Sequence, residues 1–342
     1  MIKAEYWVLR NGVKCAELVA DSATAARVSM ENTAEIKMTL TGNFETNPQL
    51  NLITDQLQIW LDIDGQRYPL GRYIITDMQP STSAAGRRTG SYTAYDLTYL
   101  VSRSTTESRY FIAAGTKYTD AIQALLIESG ITDYIIEQTD EVLRTDREDW
   151  EPGTSRLQIC NDLLAEINYN SLWMDLGGAC RASKYRQATA ENIDHSYRPG
   201  QYSLLYPETS QQLDLFERTN VFIRVVEDAE NQTPLRAESV NDDPESSLST
   251  VNQQRRVVDY DTLDNIASQA ALQAYVDNLK FKSLLATEQT TFYTGPSPTH
   301  QAFDVVALLL EGAAGIYAET AWSIDLQPPW KMEHRGKKVV IL

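Results

Sequence analysis

The chain has 342 residues, of which 42% are hydrophobic, and it carries 30 Lys and Arg against 47 Asp and Glu for a formal charge of −17. That is enough chain for two to four domains with a substantial core, and the composition is that of a folded protein and not a disordered one. So acidic a balance argues against gripping a phosphate backbone, which needs clustered cations.

The opening, MIKAEYWVLRNGVK, has no basic leader followed by an apolar run, so no signal peptide is expected. No stretch approaches the roughly 18 apolar residues of a membrane-crossing helix. Cys15, Cys160 and Cys180 are odd in number and lack C-x-x-C spacing, which points to a reducing compartment without a disulfide framework.

Residues 1–100 read as strands. Ala34 to Leu40 alternates apolar and polar, and Gly42-Asn43 is expected to break it. Leu57, Ile59, Leu61 and Ile63 line one face of the next strand, Asp64-Gly65 is a hairpin turn, and Tyr73 to Met78 is the return. Ser81 to Gly90, with Arg87 and Arg88, reads as a loop. From about 105 to 190 the period becomes helical. Ile122, Leu125 and Leu126 follow Thr119 as N-cap and end at Gly130. Leu157, Cys160, Leu164 and Ile167 form a stripe capped by Thr154 or Ser155. A short strand, Ser171 to Asp175, and a turn at Gly177-Gly178 complete a small α/β insert. Asn220 to Val226 is a strand, Glu227 to Thr250 reads as a long acidic loop, and Thr262 is expected to open the longest helix, to about Leu279. The tail returns to strands.

Two segments echo each other. Leu57 to Pro80 and Asp304 to Pro328 each give an apolar strand, a turn at Gly65 or Gly312, a Gly-x-Tyr at Gly71 or Gly315, and a second strand closing in Gln-Pro. Such an echo predicts duplicated β-units.

Chemical motifs are sparse. There is no G-x-G-x-x-G, Walker loop, H-E-x-x-H or G-x-S-x-G. The three histidines, His195, His300 and His334, lie far apart in sequence and read as surface or loop residues. Asp62-Ile63-Asp64-Gly65 resembles the start of a calcium loop but lacks its remaining ligands, so a plain hairpin is expected. Trp60, Trp173 and Trp322 lie in strands, where packing is the usual role. Gly295 to Pro298 and Gln327 to Trp330 read as rigid connectors, and Arg335 to Lys338 as a solvated turn. No catalytic, cofactor or metal residue is assigned.

Several of these segments, in order, resemble the bacteriophage tail and baseplate hub family, including the hub part of the type VI secretion spike. Pro69 to Asp77 is similar to the strand closing that family's first barrel, and Tyr95 to Leu100 to that domain's end. Trp150 to Gly178 is similar to its helix–strand–turn insert. Phe292 to Pro298, Asp304 to Val306 and Tyr317 are similar to its second barrel. Residues 186–260 match least.

The resemblance implies a mainly β α+β fold: two related tube-type β-barrels (1–104 and, with a helix, 259–342), an α/β insert (105–190) and a β-containing segment with a long acidic loop (191–258). It implies a non-enzymatic homotrimeric ring that joins a six-fold tail tube, or distal tail protein, to a three-fold spike. A tape-measure protein would be a further partner. DNA would pass through an acidic lumen without specific binding. The expected place is the virion tail tip or baseplate, after assembly in the host bacterial cytoplasm. Two rival readings are a tail-associated cell-wall hydrolase, whose lytic domain is not expected after the second β-unit, and a glycan-binding host-recognition protein suggested by the 18 Tyr and 6 Trp.

Overall fold

The computed structural model describes residues 1–342 except 22–25, 46–49, 83–85, 87, 201–202, 214–218, 227–233, 247, 264, 286–287 and 340–342. The first unit contains β1 (Ile2–Arg10), β2 (Val13–Leu18), β3 (Arg27–Glu31), β4 (Met38–Glu45), β5 (Gln56–Ile63), β6 (Gln66–Thr82) and β7 (Arg88–Asp96). An insert follows with α1 (Thr98–Arg103), β8 (Tyr110–Ile112), α2 (Tyr118–Glu128), β9 (Tyr134–Ile136), β10 (Arg147–Trp150), α3 (Arg156–Glu166), β11 (Trp173–Met174) and β12 (Cys180–Ala182). Then come β13 (His195–Tyr197), β14 (Leu205–Leu213), β15 (Val221–Val226), β16 (Leu235–Val240), α4 (Thr250–Gln253), β17 (Val258–Leu263), α5 (Gln269–Leu285), β18 (Glu288–Thr294), β19 (Val305–Leu308), β20 (Gly315–Asp325) and β21 (Met332–Lys338).

The protein is mainly β. One sheet runs β14-β18-β21-β20-β3-β4-β7-β6-β5-β1-β2, and β13 joins it through β19, which pairs with β20. Alternation drives this arrangement. Leu57, Ile59 and Leu61 are fully buried, as is Leu40, and they share a core with Val8, Phe44, Leu70, Tyr73 and Tyr92. The chain leaving β2 returns to β4: Ala20 bridges Phe44, Asp21 N donates to Asn43 O at 2.7 Å and Glu45 N to Val19 O at 2.8 Å. Through these bonds the first unit's strands curl round their core. Gly42 does not break β4. It lies mid-strand, where a Cβ would sit 2.8 Å from that of Ala26, so its smallness admits close packing.

The two halves of the sequence echo adopt matching geometry. β5 and β6 turn at Gly65 (φ +88°), and β19 and β20 at Gly312 (φ +79°), both conformations that glycine supplies without penalty. Tyr73 stands opposite Leu57, and Tyr317 opposite Val306. Both rings are fully buried, and each hydroxyl donates to a carbonyl just upstream: Tyr73 Oη to Leu70 O at 2.6 Å, Tyr317 Oη to Ala313 O at 2.7 Å. Three residues further on, each return strand bulges at a threonine. The β6–β7 register slips between Ile75 and Asp77, and the β20–β21 register between Glu319 and Ala321. Thr76 Oγ1 donates to Thr93 O at 3.2 Å and Thr320 Oγ1 to Arg335 O at 3.1 Å. Bulges fix register and twist, so a shared bulge after a shared tyrosine makes β5-β6-β7 the counterpart of β19-β20-β21. Tyr73→Phe and Tyr317→Phe should each cost about 1–2 kcal/mol in denaturant unfolding, because a buried carbonyl loses its donor. Equal stability of either variant with the parent would count against a shared locking role.

The insert packs α2 and α3 around Ile122, Leu125, Leu126, Leu157, Cys160 and Leu164. Ser155 caps α3, accepting from Gln158 N, while α2 begins after Lys117, so Thr119 lies inside its first turn. A separate sheet, β16-β15-β17, packs Phe222, Val226 and Ala237 against Leu272 and Val276 of α5.

Three expectations are corrected here. The acidic run contains β16, which finds its partner in β15. Thr262 lies in β17, held parallel to β15, so the long helix starts only at Gln269. The stretch 81–90 is hairpin at both ends, with Thr82 paired to Arg88, and Arg87 falls outside the described residues.

Candidate functional site

Strand pairing gives this fold an internal seam and two open strand edges. Within the chain the two units meet where β3 lies along the second half of β20: Ala321 opposite Glu31, Ser323 opposite Ser29, Asp325 opposite Arg27. Arg27 Nε reaches Asp325 Oδ1 at 2.8 Å across this seam, and Leu326 N donates to Ala26 O at 2.8 Å.

The bulge equivalence identifies the counterparts of both strands. Thr76 matches Thr320, so the second half of β6, from Asp77 onward, matches the stretch of β20 that receives β3. There β6 pairs with β7 on one side, and among the described residues no strand occupies the other. A groove of about 360 Å³ runs beside this edge, lined by Leu52, Ile53, Ile74, Ile75, Met78 and Tyr99. Thr41 stands opposite both Thr93 and Arg27; Thr291 stands opposite both Arg335 and Ser210. β14 is therefore the counterpart of β3. Among the described residues it pairs with β18 alone, and its residues from Pro207 to Gln212 are exposed. Each open edge carries a proline, Pro80 and Pro207, the residue that blunts unwanted strand pairing.

The remaining sequence candidates resolve simply. Asp62 and Asp64 form the β5–β6 hairpin, with Gly65 N donating to Asp62 Oδ1 at 2.8 Å and Asp64 paired to the amino terminus. Trp60, Trp173 and Trp322 all lie in strands. Arg335 to Lys338 is part of β21, not a turn.

The histidines contradict the expectation of scattered surface residues. Strand pairing folds all three together: β13 lies parallel to β19 and β21 antiparallel to β20. His300 and His334 are buried, and their Nδ1 atoms each sit 2.7 Å from one oxygen of buried Glu319. His195 stacks on His300 at 3.7 Å and its Nε2 lies 3.0 Å from Asp304 Oδ2. Behind the rings, His300 Nε2 meets Tyr197 Oη at 2.7 Å, and His334 Nε2 meets Thr294 Oγ1 at 2.8 Å. Burial, reinforced by His195, lowers His300 to about 3; burial also lowers His334 and raises Glu319 to about 7. For His195, burial is outweighed by Asp304, which holds it above its ordinary range. No spacing rule reveals this cluster, because 109 residues separate His195 from Asp304.

No protein-family model matches this sequence, and no curated relative does. Solved structures do match. A tail protein from Neisseria meningitidis superimposes with a TM-score of 0.70 at 13% identity, over 98% of this chain and 97% of that one. The 43 kDa tail protein of prophage MuSo2 from Shewanella oneidensis gives 0.65 at 12% identity, over 98% of both chains. This chain has the fold of the phage tail and hub proteins. A type VI secretion component of E. coli, described as similar to the bacteriophage T4 tail proteins gp27 and gp5, gives 0.58 at 7% identity, over 97% of this chain and 77% of that one. In this chain the duplicated hairpins form the shared sheet, and the helical insert and the β16-β15-β17 sheet lie outside it.

Proposed function

We propose that the chain is a structural hub of a phage tail or phage-like particle: three copies closing into a ring between a six-fold tail tube and a three-fold spike. One observation supports this reading most. The seam inside the chain, β3 on β20, has an unfilled counterpart: among the described residues, β14 and the second half of β6 each have a strand on one side alone. Heterologous contacts of this kind build rings when the rotation closes. By the bulge register, Gln212 of one copy would face Gln79 of the next, and Ser210 would face Ser81. Three copies with two units each then supply six alike faces. The lost N–H at Pro80 removes one bond from each such seam without breaking the register.

In this reading 1–104 and 259–342 are the main wall segments, 191–258 lends them the strands β13 and β14, and 105–190 and the rest of 191–258 are attachments. The role needs no catalytic residue. A charge of −17 suits a lumen through which DNA slides without sticking. The place of action is the tail tip or baseplate, with spike, tube or distal tail protein and tape-measure protein as neighbours.

The test places cysteines at the seam, Gln79→Cys with Gln212→Cys, in a Cys15→Ser background, since Cys15 is the exposed thiol. Oxidation of assembled particles should give a covalent ladder ending at three copies. A ladder ending at two, or a central ring whose mass is not that of three chains, overturns the proposal.

A further inference from the structure

Among the described residues, His300, Glu319 and His334 form a buried polar cluster in the second unit, and a scaffold has no evident need for it. Its proton inventory is informative. Thr294 has a single hydroxyl hydrogen, and Thr294 Oγ1 donates to Gly295 O at 2.7 Å. The 2.8 Å contact between Thr294 and His334 is then filled by a hydrogen on His334 Nε2. That leaves His334 Nδ1 a lone pair facing a Glu319 oxygen at 2.7 Å. Two acceptors at that distance need a cation or a proton between them. His300 Nδ1 sits at the same 2.7 Å from the other oxygen of Glu319.

The geometry points to a divalent transition-metal site formed by His300 Nδ1, His334 Nδ1 and the Glu319 carboxylate. Two imidazoles and one carboxylate are a donor set for zinc or its first-row neighbours, whereas calcium and magnesium take oxygen. The donor atoms lie within 4.8 Å of one another, with each Nδ1 2.7 Å from a Glu319 oxygen; donors on a tetrahedral zinc sit roughly 3.3 Å apart, so each N–O pair would part by about half an ångström. Each ring is held from behind by a hydroxyl, Tyr197 on His300 and Thr294 on His334, the bracing that fixes metal-ligating histidines. The ligands stand on β20, on β21 and on the segment before β19, so an ion would tie together strands of the second wall segment. A cavity of about 360 Å³ reaches Asp304 and Glu319 and gives a way in. His195 and Asp304 stand beside that path as a second, more open pair.

The test uses the untagged full chain, stripped with chelator and titrated with Co²⁺ and Zn²⁺. One equivalent of cobalt should bind with the visible bands of a tetrahedral site, zinc should displace it, and metal should raise the melting temperature. His334→Gln should lose the bands while His195→Gln keeps them. A stripped parent chain that stays folded and takes up no cobalt overturns the site, and that result stands even if His334→Gln fails to fold. Retained bands in folded His334→Gln overturn it equally. Because the readout is made on the single chain, it is independent of ring formation.

Discussion

Gly71→Val should lower unfolding stability by about 3 kcal/mol or more, the sum of backbone strain and overpacking. Gly71 has φ +101°, a region L side chains rarely adopt. A Cβ built there lies 2.6 Å from Tyr73 Oη and 2.8 Å from its Cζ. The ring does not step aside easily, because it is buried and its hydroxyl is tied to Leu70 O. The control is Gly65→Val: Gly65 also has positive φ, yet a Cβ there meets nothing within 4 Å. Denaturant midpoints should therefore fall much further for the Gly71 variant. Equal losses would show that the space beside Tyr73 is not limiting.

Arg147→Met should cost about 3–5 kcal/mol, the usual range for leaving one member of a buried ion pair alone. Arg147 is 3% exposed, pairs with Glu166 through Nη1 and with Asp149 through Nε and Nη2, and lies over the Trp150 ring at 4.5 Å. Glu166 also accepts from Tyr118 Oη at 2.7 Å. Burial already raises the Glu166 carboxyl despite the arginine. Without the arginine that rise grows. A carboxyl raised in the folded state is most favourable below its unfolded value and loses ground as pH climbs through the folded one. The variant's deficit should thus shrink as pH falls toward the ordinary carboxyl range. Arg147→Met with Glu166→Leu should regain most of the loss. If the single variant matches the parent at neutral pH, the pair contributes nothing net.

Much of the fold was legible because it rests on local rules. Alternation exposed β5 and β6, Asp64-Gly65 the hairpin, Ser155 a helix cap, and the spacing to Tyr73 and Tyr317 the duplication. What escaped depended on partners distant in the chain. β16 sits in an acidic run that reads as loop until β15 lies beside it. Thr262 read as the start of a helix, but parallel pairing with β15 holds Val258–Leu263 as strand. Gly42 looked like a breaker because its neighbour Ala26 is supplied by a different strand segment. The histidine cluster was invisible for the same reason: its members come from β13, β20, β21 and the segment before β19, which only the finished sheet brings together.

If copies join edge to edge as proposed, Pro80 and Pro207 would also bear on what a newly made copy does before it meets its neighbours. A strand margin with a full set of free amides zips onto any similar margin, and subunits with two such margins grow into endless filaments. Removing one amide from each margin weakens every chance encounter while leaving a long, correctly registered one tolerable. For the proposed ring, single copies that join only where a template aligns them is the assembly behaviour those two imino acids would favour.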